Sequence, residues 1–173
     1  MKRARGAAAL FVALLLAACT SLPRPTLPGD ALSGRLSVRI APSAGNEARS
    51  VSAAFELSGT PEVGRLDLTS PLGTVLVQAR WAPGDVVLAT PGAKTAFPDL
   101  DALTRQALGE SLPVAALFDW LRGRPWQGAP SRALASGFEQ LGWEVNLARF
   151  DDGQVSAERS APPAVTVRAR VDR

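Results

Sequence analysis

The 173-residue sequence contains no histidine, no tyrosine and a single cysteine. Without histidine there is no Ser-His-Asp or Cys-His catalytic arrangement, no imidazole general base and no histidine metal ligand. The one cysteine, Cys19, permits neither an intrachain disulfide nor a cluster of thiolates. These absences favour a binding or structural role over catalysis, and we expect no catalytic residues, no metal site and no cofactor.

The positive charge surplus is confined to the N-terminus. The formal net charge of +3 comes from 19 basic and 16 acidic residues. Lys2, Arg3 and Arg5 precede an apolar run, and the first acidic residue is Asp30. Cleavage after residue 18 would remove three basic residues and leave 16 of each sign. The remaining chain would be formally neutral, so we do not expect it to bind nucleic acid.

Residues 1–18 have the pattern of a secretory signal peptide. The apolar run from Ala7 to Ala18 has 12 residues, which suits a signal and is too short for the roughly 20 residues of a membrane-spanning helix. The ending Leu16-Ala17-Ala18-Cys19 resembles the lipobox of bacterial lipoproteins, which implies that Cys19 is acylated and becomes the new N-terminus. The alternative is an ordinary signal peptide with an incidental cysteine.

Residues 19–33 are predicted to form a lipidated tether, because they contain three prolines and show no clear periodicity. Thr20, rather than Asp, follows the cysteine. By resemblance to the sorting rules of lipoproteins, this residue favours the outer membrane over retention at the inner membrane.

From Gly34 onward, apolar and polar residues alternate in several segments, which predicts strands with one buried and one solvated face. The alternation is clearest in residues 35–40, 51–57, 65–69, 143–147 and 165–171, and weaker in residues 73–81 and 86–88. Turn signals separate the earlier segments at short intervals, which favours antiparallel neighbours. The arginines that alternate along these strands are expected to face solvent.

Two short helices are predicted in the middle of the chain. Asp99 suits the N-cap of a helix that ends at Gly109, and Pro113 suits the first turn of a second helix. The apolar stripe of the second helix consists of Val114, Leu117, Phe118 and Leu121. Because Trp120 lies about 80–100° off this stripe, we expect it at a rim of the core and not at its centre.

Charged residues near these helices have structural interpretations. Arg122 and Arg124 follow the second helix, where cations complement the helix dipole; contact with an acidic rim on a partner is the alternative. The only close acidic pairs are at residues 99/101, at a helix start, and 151/152, in a turn. Neither pair suggests general acid–base catalysis. The whole pattern predicts an α+β domain with two helices lodged in a sheet of about eight to eleven strands.

Four sequence motifs occur in order behind the lipobox. They are Gly-Arg-Leu-Ser-Val-Arg at 34–39, Leu-Asp-Leu-Thr-Ser-Pro-Leu-Gly at 66–73, Leu-Pro-Val at 112–114 with Leu-Phe-Asp-Trp-Leu-Arg-Gly-Arg-Pro at 117–125, and Leu-Gly-Trp-Glu-Val at 141–145. In order and spacing they resemble the LolB family of outer-membrane lipoprotein receptors over about residues 34–150. The resemblance implies that residues 34–173 form an incomplete, half-open antiparallel β-barrel that covers a few short helices and has an apolar cavity.

The resemblance also implies a function. Proteins of this family accept lipoproteins from the soluble periplasmic carrier LolA, bind their acyl chains, and insert them into the outer membrane without nucleotide. We therefore expect a monomeric, non-enzymatic receptor, anchored in the outer membrane by its own lipid, with its domain in the periplasm. The competing interpretations are a structural accessory lipoprotein with a packed core and no lipid cargo, and a periplasmic hydrolase.

Two candidate sites follow from this resemblance. The turn Pro71-Leu72-Gly73 would present Leu72 for membrane insertion, whereas an ordinary turn could leave this leucine folded onto the core or simply exposed. The second site is the acyl-chain cavity, whose candidate residues could equally fill a solid core. These candidates are Leu36, Val38, Phe55, Leu66, Leu68, Leu117, Phe118, Leu121, Trp143 and Val145.

Overall fold

The computed structural model describes residue 29, residues 31–43 and residues 47–172. Cys19, the predicted signal peptide and most of the predicted tether lie outside the described residues. The first strand begins at Leu32, two residues before the predicted domain start at Gly34.

The described residues form one antiparallel sheet of eleven strands. The alternating segments form strands, because a strand places successive side chains on opposite faces of the sheet and so separates apolar from polar residues. The strands are β1 Leu32–Ile40, β2 Arg49–Gly59, β3 Gly64–Thr69, β4 Val75–Ala82, β5 Asp85–Thr90, β6 Ala93–Phe97, β7 Ser131–Leu134, β8 Gly137–Gln140, β9 Trp143–Asn146, β10 Gln154–Arg159 and β11 Val165–Val171.

The strand order explains why the barrel stays open. Neighbouring strands are consecutive in the chain, except that β1 pairs with β11. That pairing runs from Gly34 opposite Val171 to Ile40 opposite Val165, and it joins the two ends of the described chain. Strands β6 and β7 are the two edges of the sheet and do not pair with each other. The sheet is therefore an incomplete barrel, as predicted.

Both predicted helices are present. Helix α1 spans Leu100–Leu108, and the Oδ1 atom of Asp99 caps it by accepting a 2.7 Å hydrogen bond from the backbone N–H of Ala102. The helix ends at Gly109, whose φ of 87° is a left-handed conformation suited to glycine. Helix α2 spans Val114–Trp120. The predicted cap and stop of the first helix are confirmed.

The two helices lie in the chain segment that connects the two edge strands. This segment runs from the end of β6 at Phe97 to the start of β7 at Ser131, and α1 contacts β5 and β6. Because the connection must pass from one edge of the open sheet to the other, it brings the helices across the gap. The core forms where the inner face of the sheet meets α2.

The position of Trp120 differs from the prediction. Its indole ring is fully buried, between the rings of Phe138 at 6.4 Å and Trp143 at 6.1 Å. The sheet wraps around α2 so far that Val114, Ala116, Phe118 and Asp119 are also buried. A helix enclosed on most sides has no solvent face, so the one-sided stripe assumed from the sequence did not locate Trp120.

Candidate functional site

The ten candidate cavity residues all belong to one apolar interior. Six are buried: Val38, Phe55, Phe118, Leu121, Trp143 and Val145. Four are partly buried and pack against the same cluster: Leu36, Leu66, Leu68 and Leu117. The structure therefore brings all of them together between the sheet and α2. Their role in lining an acyl-chain cavity stays a prediction.

An aromatic pair connects the sheet to α2 across the interior. The rings of Trp81 on β4 and Phe118 on α2 meet edge to face, with centroids 5.6 Å apart. Gly64 on β3 lies beneath both rings, and a Cβ atom at this position would overlap Trp81. The absence of a side chain at Gly64 thus lets the helix approach the sheet closely.

Two buried polar side chains of the interior, Gln140 and Thr104, have hydrogen-bond partners. The side chain of Gln140 bonds to the indole of Trp120 and to the backbone of Trp126 and Ala129, at 2.8–2.9 Å. The hydroxyl of Thr104 accepts a 3.0 Å hydrogen bond from the backbone N–H of Leu112. Both side chains are thus hydrogen-bonded within the protein, as buried polar groups usually are.

Arg122 and Arg124 stabilise the end of α2. Arg124 donates to Oδ1 of Asp119 at 2.8 Å, and Arg122 donates to the backbone carbonyl of Phe118 at 2.7 Å. The guanidinium of Arg122 also lies 5.9 Å from the centre of the Phe118 ring. Both arginines therefore have bonding partners at the end of α2, in agreement with a structural role there.

A long-range ion pair connects the two-helix segment to the sheet. Arg159 on β10 donates to Oε2 of Glu110 at 2.7 Å, and both side chains are about four-fifths buried. The same guanidinium lies 5.6 Å from the centre of the Trp143 ring and bonds to the carbonyl of Pro163 at 3.2 Å. Sequence reasoning missed this contact because its partners are 49 residues apart, and no local pattern links them.

The β3–β4 turn carries an exposed apolar surface. The backbone N–H of Gly73 donates to the carbonyl of Ser70 at 2.9 Å, and Gly73 has a φ of 79°. At this tight turn the side chain of Leu72 is 93% exposed, which removes the alternative in which it folds back onto the core. Its role in membrane insertion stays a prediction.

Two neighbours enlarge this apolar surface. Val75 and Leu76, at the start of β4, are 41% and 38% exposed. We call Leu72, Val75 and Leu76 the apolar tip. The run Val75-Leu76-Val77 was a sequence signal for the apolar tip, because three adjacent residues of a strand cannot all face the protein core.

The outer face of the sheet carries one firmly held ion pair. The guanidinium of Arg65 on β3 makes two contacts with the carboxylate of Asp67, at 2.6 and 2.9 Å. The hydrogen bond to Asp67 raises the pKa of Arg65, and the negative charges of Asp67 and Glu56 add to this rise against the effect of partial burial.

The acidic pairs and the helices offer no further site. Asp99 caps α1, and Asp152 lies in an exposed 3-10 helix where it pairs with Arg149 at 3.2 Å. Within residues 31–43 and 47–172, no group of three or more acidic, cysteine or histidine side chains is placed to hold a metal ion. None of the helices in the described part of the chain is long and apolar enough to span a bilayer.

Comparisons with known proteins identify the class to which this architecture belongs. The family model described as outer membrane lipoprotein LolB matches residues 31–172, which is nearly the whole described domain. The chain is thus an outer-membrane lipoprotein by family, and it belongs to the LolB family.

Individual relatives agree with this result. A Bordetella petrii protein named outer-membrane lipoprotein LolB is 34% identical, and the alignment covers 92% of this chain and 87% of the relative. A protein of the same name from Cupriavidus metallidurans is 35% identical, over 99% of this chain and 89% of its own length. One from Chromobacterium violaceum is 34% identical, over 83% of this chain and 82% of its own.

Proposed function

We propose that this protein is a lipid-anchored receptor of the outer membrane, facing the periplasm, that accepts lipoproteins from a LolA-type carrier. It binds their acyl chains in its apolar interior and inserts them into the outer membrane without nucleotide. Acylated Cys19, after removal of residues 1–18, supplies the anchor, and the residues between it and the start of β1 at Leu32 form the tether. The receptor acts as a monomer.

The observation that carries this proposal is the arrangement of the interior. An open sheet presents a continuous apolar face, and the helices that cover it belong to a connection between two unpaired edge strands. The connection can move away from the sheet without breaking any strand pairing. If acyl chains enter between Phe118 and Trp81, or along Leu66 and Leu68, the sheet residues at these places exchange their contacts with α2 for contacts with lipid.

The energetics suit a receptor that must also release its cargo. Each buried methylene contributes about 0.8 kcal/mol, so a cavity and a bilayer both hold acyl chains strongly. The direction of transfer then depends on differences among carrier, receptor and bilayer and not on total affinity. An interior filled by its own side chains lowers the net gain on binding, which favours release to the membrane.

Delivery to the bilayer requires a contact between the receptor and lipid. The apolar tip at the β3–β4 turn supports this step, because Leu72 is almost fully exposed on a turn fixed by hydrogen bonds. An apolar side chain held away from the domain can enter a bilayer without unfolding of the sheet. Leu72, presented by Pro71 and Gly73, is accordingly the proposed insertion residue.

The experiment that tests the function is transfer of a labelled lipoprotein from a purified LolA-type carrier to this domain in solution. Every strand, helix and core residue described here lies within residues 31–172. A chain that begins at Thr20 keeps them all and lacks the anchor. We expect stoichiometric transfer without nucleotide. Absence of transfer to a folded domain would contradict the proposal and favour the structural accessory lipoprotein with a packed core.

A further inference from the structure

A groove of about 750 Å³ lies on the outer face of the sheet, next to the apolar tip. Strands β1 and β11 contribute Arg35, Arg168 and Arg170 to its lining. The β3–β4 turn contributes Ser70, Pro71 and Gly73, the residues that flank Leu72. The groove and the apolar tip thus share one turn of the chain. No aspartate or glutamate is among the described residues that line the groove.

The strand register explains how three arginines meet on this face. Arg170 on β11 lies opposite Arg35 on β1, which lies opposite Ala54 on β2. In the next outward-facing row, Arg168 lies opposite Ser37, which lies opposite Ser52. Directly opposed residues have Cβ atoms about 5 Å apart. Like charges placed this close destabilise a sheet unless an anion offsets them.

Glu56 and Asp172 lie beside Ser33 in the neighbouring outward-facing row, but neither lines the groove or forms an ion pair with its arginines. Arg35 and Arg170 are exposed and make no ion pair with a described residue. Arg168 is 3.6 Å from Glu158, but both side chains are more than half exposed, so this pair contributes little. The nearby Asp67 is held by Arg65. The groove therefore collects positive charge in a chain that is otherwise balanced.

We propose that this groove binds the phosphate groups of anionic phospholipids while the apolar tip enters the bilayer. The proposal rests on the proposed function, since it assigns a second membrane contact to the same receptor. Guanidinium groups match phosphate in geometry and charge, and the hydroxyls of Ser37, Ser52 and Ser70 are additional donors at the groove. Apolar side chains beside basic ones are the pattern of proteins that bind at membrane surfaces.

The shared turn makes a lipid the favoured occupant over an acidic protein. Leu72, which is 93% exposed, lies between Pro71 and Gly73, and both of these neighbours line the groove. A bilayer offers apolar interior and phosphate within a few ångströms of each other, so one membrane surface can satisfy both parts. Headgroup binding at the groove would orient the domain with its tip toward the acyl layer.

The test is binding to vesicles by the chain that begins at Thr20, which has no lipid anchor of its own. One variant combines Arg35→Gln and Arg170→Gln. The matched control combines Arg80→Gln and Arg105→Gln, which removes two exposed arginines that do not line the groove. Cosedimentation is measured with phosphatidylcholine vesicles, with and without phosphatidylglycerol, and circular dichroism verifies the fold of each protein.

We expect the groove variant to lose about tenfold or more of its affinity for phosphatidylglycerol-containing vesicles, with a loss of less than about threefold in the control. On phosphatidylcholine alone, the three proteins should bind equally. Equal losses in both variants would overturn the proposal in favour of general charge attraction. Unchanged binding by the groove variant would also overturn it. Binding of inorganic phosphate to the unaltered protein at low millimolar concentration, without vesicles and lost in the groove variant, would overturn it in favour of a free phosphate as the occupant.

Transfer from the carrier in solution separates this proposal from the proposed function. The groove lies on the opposite face of the sheet from the interior, so its variant should accept cargo at the unaltered rate. Vesicle binding that depends on the groove, together with failure of every protein to accept cargo, would contradict the receptor function alone. Normal acceptance with groove-independent vesicle binding would contradict the groove alone.

Discussion

The indole N–H of Trp120 donates a 2.8 Å hydrogen bond to Oε1 of Gln140, a contact between α2 and β8 inside the apolar interior. The same amide accepts from the backbone N–H of Trp126 and donates to the carbonyls of Trp126 and Ala129. One buried side chain therefore joins the helix, the sheet and the loop that leads back to the edge strand β7. These hydrogen bonds hold α2 in its position against the sheet.

Replacement of this amide should be costly. Gln140→Leu leaves the indole N–H of Trp120 and three backbone groups without partners, so we expect the free energy of unfolding to fall by about 2–4 kcal/mol. Urea unfolding measures the loss. The control is Gln106→Leu on the exposed surface of α1, which should change stability by less than about 0.5 kcal/mol. A loss at Gln140 no larger than this control would contradict the role of the amide.

A double-variant cycle isolates the contact between the two side chains. Trp120→Phe removes the indole donor and keeps an aromatic ring in the core. In the Gln140→Leu background it should therefore cost less than in the unaltered protein, because the unpaired N–H is no longer present. A coupling energy of about 0.5–3 kcal/mol is expected for groups in direct contact. Strict additivity of the two losses in unfolding free energy would show that the hydrogen bond contributes nothing to stability.

The pair between Arg159 and Glu110 should control how readily the helices leave the sheet. Glu110→Ala removes the partner of a largely buried guanidinium, which should lower stability by about 1–3 kcal/mol and loosen the segment between α1 and α2. We expect increased fluorescence of a hydrophobic probe and faster amide exchange in that segment. The control is Glu139→Ala, because the pair between Glu139 and Arg132 is exposed and its loss should have little effect. Equal probe binding by the two variants would contradict this role.

Much of the fold could be predicted from the sequence because strand alternation and turn chemistry are local. The sequence patterns located β1–β5, β9 and β11, both helices, and the cap at Asp99. Four strands were not predicted. Strands β6, β7 and β8 have only four or five residues, whereas β10 alternates at Val155 and Ala157 and was missed. Strand β6 has only Phe97 partly buried, and β7 has four residues of which three are exposed. Such edge strands are defined by pairing with a neighbour, which no local pattern encodes.

In the candidate site, too, local features could be predicted from the sequence and long-range contacts could not. The turn signal at Pro71 and Gly73 placed Leu72 at an exposed tip, since proline and glycine restrict the backbone directly. The burial of Trp120 was predicted wrongly, because it depends on how far eleven strands wrap around α2. The contacts of Gln140 and of Arg159 join distant parts of the chain, and only the folded arrangement brings them together.

The last prediction concerns delivery to the membrane. Leu72→Glu replaces the most exposed apolar side chain of the apolar tip with a charge, which a bilayer interior strongly disfavours. Because Leu72 makes no contribution to the core, we expect unchanged stability and unchanged acceptance of lipoprotein from the carrier. Insertion of the accepted lipoprotein into vesicles should fall about tenfold or more, since a buried leucine contributes about 1.5–3 kcal/mol.

The matched control is Ala135→Glu, which adds the same charge at an exposed position in the β7–β8 turn. The strand directions put this turn at the opposite end of the sheet from the β3–β4 turn, so the control should insert lipoproteins at the unaltered rate. The conservative variant Leu72→Met should also retain insertion, because its side chain is apolar and of similar size. Normal insertion by a well-folded Leu72→Glu protein would exclude the tip from the delivery step, and equal defects in Leu72→Glu and Ala135→Glu would trace the effect to net charge alone.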